Sequence, residues 1–127
     1  MKIVPLFKCR NMQKAIAFYT GILDFKLKYK AASANDWVVD LVNDNIELQL
    51  TIAEGDYLFG SVANIWVDEV DELFQKYVQR GLDHSNKKDS PVHQGPTDQT
   101  WGSREFYITD VDGNTLRFCM QQSFPGS

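Results

Sequence analysis

The stretch Val62-Ala63-Asn64-Ile65-Trp66-Val67-Asp68-Glu69-Val70-Asp71-Glu72-Leu73-Phe74-Gln75-Lys76-Tyr77-Val78-Gln79-Arg80-Gly81 decides the fold, because its hydrophobic period changes from two to about 3.6. Val62 to Val67 predicts a strand. Val70, Leu73, Phe74, Tyr77 and Val78 then fall on one helical stripe, which Gly81 is suited to end. The same order occurs at the start of the chain. Ile3 to Cys9 predicts a strand, Asn11 a helix N-cap, and Met12, Ala15, Ile16, Tyr19 and Leu23 the apolar side of a helix.

Working outward, strand signals follow each helix. In the first half they lie at Phe25 to Tyr29, Trp37 to Val42 and Ile46 to Ile52, the last two joined by Asn43-Asp44-Asn45, which has hairpin-turn chemistry. In the second half they lie near Leu82 to His84, then at Arg104 to Thr109 and Asn114 to Gln121 across the turn Asp110-Val111-Asp112-Gly113. Ser85 to Thr100, with Pro91 and Pro96, reads as a polar loop. Val4 and Asn64, Met12 and Val70, and Leu23 and Leu82 are offset by 60, 58 and 59 residues, as in a duplicated unit. The expected fold is α+β: one domain over residues 1–127, made of two βαβββ modules at about 1–54 and 61–122, whose sheets pair into one curved mixed sheet around a cleft.

With 127 residues, 43% of them hydrophobic and 24% charged, the chain has a core for one domain and no apolar run that could span a membrane. Thirteen basic against seventeen acidic residues give a net charge of −4, which argues against a nucleic-acid partner. Cys9 and Cys119 lie far apart in strand segments and read as buried, reduced thiols. The N-terminal residues lack the pattern of a secretory signal, so a cytoplasmic location and no membrane partner are expected.

Strand alternation sorts the side chains by face. Leu48 and Leu50 must face the helices, which leaves Glu47 and Gln49 on the other side. Leu116, Phe118 and Met120 put Arg117 and Cys119 there too, and Phe106 and Ile108 do the same for Glu105 and Tyr107. Ile65 and Val67 send Asn64 and Trp66 to that open face. A sheet face lined by amide, guanidinium, carboxylate and aromatic groups suits a ligand groove, and a solvated face has the same alternation.

Val4-Pro5-Leu6-Phe7 leading to Ala15-Ile16-Ala17-Phe18-Tyr19, and Trp101-Gly102-Ser103-Arg104-Glu105-Phe106 followed by Asp110-Val111-Asp112-Gly113-Asn114, resemble the vicinal oxygen chelate superfamily. That superfamily includes glyoxalase I, extradiol dioxygenases and the bleomycin-resistance proteins, and the last branch is the most similar. Asp24-Phe25 stands where the family commonly has Gly-Phe. The resemblance aligns the family's metal-ligand positions with Val4, Gln49, Asn64 and Arg117. An aliphatic, two neutral amides and a permanent cation do not suit a divalent ion, so no metal and no cofactor are expected. It also implies a homodimer with an exchanged N-terminal strand, Pro5 standing at the hinge, and ligand crevices between the subunits.

Nothing else in the sequence supplies a catalytic constellation. His84 and His93 read as solvated loop residues, and Asp110, Asp112 and Asn114 lack the glycine and glutamate positions of a calcium loop. The expected function is metal-independent binding of a small molecule, planar or cationic, by sequestration as in the bleomycin-resistance type. Trp66 and Trp101 would stack on it, Trp37 and Tyr107 would add aromatic surface, and Asn64, Gln49 and Arg117 would anchor it. Glu47 and Glu105 would add acidic balance or neutralise Arg117. Tyr57 and Phe59 are further aromatic candidates, and Gly55 to Gly60 or the loop ending at Thr100 would supply a lid. Two alternatives stay open. One is a metal-free enzyme using Glu47 or Glu105 as a base of raised pKa; the other is a dimerisation domain whose groove is vestigial.

Overall fold

A computed structural model of the chain describes residues 1–56, 58–84 and 95–122. Two compact units are present, residues 1–61 with 110–114 and residues 62–109 with 115–127. Each unit is an α+β arrangement of one helix and a four-stranded mixed sheet.

In the first unit, β1 (Leu6–Lys8) leads to α1 (Met12–Gly21), then β2 (Lys26–Leu27), β3 (Val38–Asn43) and β4 (Ile46–Thr51). The sheet order is β1-β4-β3-β2, with β1 parallel to β4 and the other pairs antiparallel. Asn11 caps α1 by accepting a hydrogen bond from the Lys14 amide at 2.9 Å. The helix buries Met12, Ala15 and Tyr19. The strand expected from Ile3 starts only at Leu6. Pro5 has no N–H to give, and pairing begins with its carbonyl, which accepts from the Gln49 amide at 2.9 Å.

The turn Asp110–Asn114 belongs to this unit and is held by buried polar groups. Asp110 accepts from the Tyr19 hydroxyl at 2.7 Å and from the amides of Asp112 and Asn114, each at 2.9 Å. Asn114, 1% exposed, donates to the Lys8 carbonyl at 2.8 Å and accepts from the Ser61 amide at 3.1 Å. Asp112 accepts from both the amide and the guanidinium of Arg10. The sequence read these residues as a hairpin turn, and the geometry adds that their side chains are structural acceptors. Burial and the Asp110 charge together push the Tyr19 hydroxyl well above the ordinary tyrosine range.

In the second unit, β5 (Val62–Trp66) leads to α2 (Val70–Gln79), then β6 (Thr97–Asp98), β7 (Ser103–Thr109) and β8 (Thr115–Gln121). The sheet order is β5-β8-β7-β6, and β5 runs parallel to β8. The core of this unit is aromatic. Phe106 and Phe118 stack with centroids 4.9 Å apart, and the ring of Tyr77 of α2 lies 5.7 Å from that of Phe118, tilted by 60°. Arg104 clamps α2 to the sheet, donating to both Asp71 carboxylate oxygens at 2.9 and 3.0 Å and to Asp98 at 2.8 Å.

Two expectations about the second unit are corrected. Leu82 to His84 is not a strand. Gly81 adopts a φ of +103°, and its amide and that of Leu82 return to Val78 and Tyr77, so the helix ends in a tight cap that directs Leu82 into the core. The polar segment ending at Thr100 contains β6, whose Thr97 and Asp98 pair with Glu105 and Arg104. The rest of that segment, including Pro91 and His93, lies outside the described residues, as does Tyr57.

Candidate functional site

The second unit's sheet has one face covered by α2 and one open face. Register places the open-face residues in rows: Asn64, Arg117 and Tyr107 in one, Trp66, Cys119 and Glu105 in the next. Strand alternation requires this, because Ala63, Ile65, Leu116, Phe118, Phe106 and Ile108 occupy the opposite parity. Five of the expected site residues, Asn64, Trp66, Trp101, Tyr107 and Arg117, are thus carried by this unit, together with Glu105.

Trp66 and Trp101 are 66% and 64% exposed, an unusual state for the largest apolar side chains. Trp101 is not loose at its polar edge, since its indole N–H donates to Glu105 at 3.0 Å. Tyr107 donates its hydroxyl to the other Glu105 oxygen at 2.8 Å, and the Ser103 hydroxyl also donates to this carboxylate. The Arg117 guanidinium lies 4.8 Å from the centre of the Tyr107 ring. The chain of contacts runs from indole to carboxylate to phenol to guanidinium.

Glu105 departs from its expected role. It is only 6% exposed. Burial raises its pKa, but the hydrogen bonds from Ser103, Trp101 and Tyr107 outweigh burial and hold the carboxyl below the usual carboxylate value. A carboxylate kept anionic by three donors is a weak base, the opposite of the raised acid a metal-free enzyme would need. Its neighbours respond in the reverse sense. Tyr107 is raised by burial and by the Glu105 hydrogen bond, and burial followed by the Glu105 charge pushes the Cys119 thiol up to about 11.

Arg117 is expected, as a buried guanidinium, to take a carboxylate from Glu47, Glu105 or a ligand. It is exposed, and among the described residues it forms no ion pair and lies against the face of Tyr107. Ser103 is the residue that sequence reasoning passed over. Ser103, Glu105 and Tyr107 are spaced by two and share a face of β7, and Trp101, in the turn before the strand, adds the third donor to the Glu105 carboxylate. That spacing is visible in the sequence.

Glu47, Gln49 and Trp37 belong to the first unit. Gln49 donates its amide to Asp40 at 2.9 Å, its direct partner across β4 and β3. Glu47 pairs with Lys2 and with Lys28, the latter at 3.1 Å, and hydrogen bonds from these two lysines lower its pKa. It is therefore engaged by lysines of its own unit. Trp37 precedes β3 and is 69% exposed. Val4, aligned with a metal-ligand position, lies before β1, while Gln49, Asn64 and Arg117 lie in β4, β5 and β8. Among the described residues, no group of three or more His, Cys, Asp and Glu side chains is placed to hold a metal ion.

The fold has clear relatives. A bleomycin-binding protein solved in complex with bleomycin superposes with a TM-score of 0.73 at 18% identity, covering 96% of this chain and 99% of that one. The bleomycin resistance determinant encoded on the transposon Tn5 gives 0.74 at 17% identity, covering 97% and 99%. TioX from Micromonospora sp. ML1 gives 0.75 at 18% identity, covering 95% and 98%. No curated protein is similar enough to match. The family model described as Glyoxalase/Bleomycin resistance protein/Dioxygenase superfamily matches residues 6–118, and with the two βαβββ units already described it shows that the chain belongs to that superfamily.

Proposed function

We propose that the protein binds a small, planar molecule on the open face of β5, β8 and β7 and sequesters it without metal or chemical conversion, in the manner of the bleomycin-resistance type. The observation that carries this reading is the pair of exposed indoles, Trp66 and Trp101, beside a guanidinium already seated on Tyr107. Stacking on an aromatic ring adds about 0.5–1.5 kcal/mol beyond the area buried. Trp101 is held by Glu105 before any ligand arrives, so less side-chain freedom is lost on binding. Asn64 and Arg117, adjacent in register, supply polar anchors for a ligand's rim. Gln49, Glu47 and Trp37 are proposed as ligand contacts carried by the first unit.

In this proposal both units form one domain, and two copies form a homodimer in the cytoplasm, where Cys9 and Cys119 stay reduced. No helix among the described residues is long and apolar enough to cross a membrane. The low pKa of Glu105 favours a binder over the enzyme alternative.

Calorimetric titration with bleomycin and with a planar cationic dye, each in the presence and absence of a chelator, tests the reading. Saturable binding is expected, unaffected by the chelator and weakened about tenfold by Trp101→Ala, which corresponds to about 1.4 kcal/mol. Absence of binding by every planar compound, or binding only after addition of zinc, nickel or manganese, would overturn it.

A further inference from the structure

A second candidate site lies in the first unit. A cavity of about 340 Å³ is lined by Leu6, Lys8, Thr51, Asp56, Leu58 and Ser61, among others. Its volume falls within the range of small-molecule pockets, ~300–1,000 Å³. Leu6 and Lys8 leave β1 on the same side because they are two residues apart, and their register partners Gln49 and Thr51 leave β4 on that side too. Phe7, between them, is fully buried on the helix side.

Lys8 is 9% exposed, a rare position for an ammonium. Its Nζ donates to the Ala53 carbonyl and lies 5.8 Å from the centre of the Phe59 ring. Among the described residues no carboxylate approaches Lys8 within ion-pair distance, the pairs that form being those of Lys2, Arg10, Lys28 and Arg104. An ammonium carries three donors, and a neutral carbonyl with a distant ring balances little of its charge. An anionic group entering the cavity would supply the missing counter-charge.

The same cavity also has a negative pole. Asp56 accepts the Thr51 hydroxyl on Oδ2 at 2.7 Å, and Thr51 is fully buried, so this carboxylate is held in a fixed orientation. Its second oxygen has no partner among the described residues. Leu6 and Leu58 add an apolar wall between and beside the charged groups. An ammonium and a carboxylate that do not pair with each other, yet line one small cavity, are complementary to a molecule that carries both charges.

We infer that this cavity binds a small zwitterion with a hydrocarbon side chain, of the α-amino-acid class, its carboxylate on Lys8 and its ammonium on Asp56. A simple anion would meet Asp56 repulsion, and a simple cation would meet Lys8. The inference rests on Lys8 and Asp56, neither of which is among the residues named for the drug-binding proposal, although Gln49 of that set leaves β4 on the same side as Thr51.

The test is an NMR titration of the amide resonances of the full chain with L-leucine, 4-methylpentanoate and 3-methylbutylamine. Leucine is expected to shift residues of β1 and the end of β4 saturably, and the two singly charged analogues to bind at least tenfold more weakly. Lys8→Gln and Asp56→Asn should each weaken leucine at least tenfold, while Trp101→Ala leaves it unchanged. Should Lys8→Gln fail to fold, Asp56→Asn, at a half-buried loop position, decides alone. The inference is overturned if leucine produces no saturable shift, if either analogue binds as well as leucine, or if the shifts survive in the folded variants.

Discussion

Removing the Glu105 side chain should destabilise the second unit and release Trp101, for reasons that can be worked from its three donors. In Glu105→Ala the Ser103 hydroxyl, on a residue 2% exposed, is left without an acceptor, which costs about 1–3 kcal/mol for a buried unsatisfied group. Trp101 and Tyr107 are partly open to water, so their lost bonds cost about 0.5–1.5 kcal/mol each. The expected destabilisation is about 3 kcal/mol in urea unfolding near neutral pH. Glu105→Gln keeps one acceptor oxygen and the volume, and should cost about half as much. The pH dependence has a definite sign. Because the native pKa lies below the ordinary carboxylate value, the contribution of Glu105 is complete above that ordinary value, and it is lost as pH falls through the native one. The acid limb of the stability curve should therefore be shallower in Glu105→Gln than in the parent. Indole quenching by acrylamide should rise in both variants as Trp101 loses its anchor. A Glu105→Ala change of less than about 0.5 kcal/mol, the range of an ordinary surface substitution, would refute the network as described.

Three further outcomes follow from the polar turn, the thiols and one glycine. Tyr19→Phe should cost about 1–2 kcal/mol in urea unfolding, and Asp110→Ala more, because the latter also strands the amides of Asp112 and Asn114; equal costs would contradict the geometry. Cys9 and Cys119, both buried and with pKa values pushed up to about 11, first by burial and then by nearby carboxylates, should react with a thiol reagent at mildly alkaline pH only at the rate of unfolding. Rapid labelling of either thiol in the native state would contradict the burial. Gly113→Ala should cost about 1–2 kcal/mol by thermal unfolding, from backbone strain at φ +87°; its added Cβ would meet only ordinary contact at Gly60, so a much larger loss would point to a clash instead.

The parts of the fold visible in the sequence are those with a long periodic signal. Met12 to Leu23 and Val70 to Val78 repeat at helical spacing, and Ile46 to Leu50 and Leu116 to Met120 alternate, so each reports its buried side directly. Thr97-Asp98 could not be seen this way, because a two-residue strand has no period and exists only through its partners Glu105 and Arg104. Leu82 to His84 misled for a related reason. Leu82 is buried, as a strand residue would be, but the Gly81 cap is what turns it inward. At the N-terminus, Ile3 and Val4 have strand propensity, yet the ladder starts only beside Pro5.

Alternation also placed the site residues on faces, but it could not give the state of each charge there. Arg117 and Glu105 have the same parity, one row apart, and a reading from residue types alone offers Glu105 as one partner for Arg117, beside Glu47 and a ligand carboxylate. In the structure Arg117 is exposed on Tyr107, while Glu105 is buried among donors from its own strand and the turn before it. The contrast with Lys8 follows the same physics. A buried charge is tolerated when the fold supplies its counter-groups, and Glu105 has three within four residues along the chain. Among the described residues Lys8 has a single neutral carbonyl and an aromatic ring, and it lines a cavity. These two buried charges therefore point to different roles. The carboxylate is satisfied by the protein and holds the proposed binding surface, whereas the ammonium has no anionic partner among the described residues and is the group from which the inferred ligand recognition in the first unit arises.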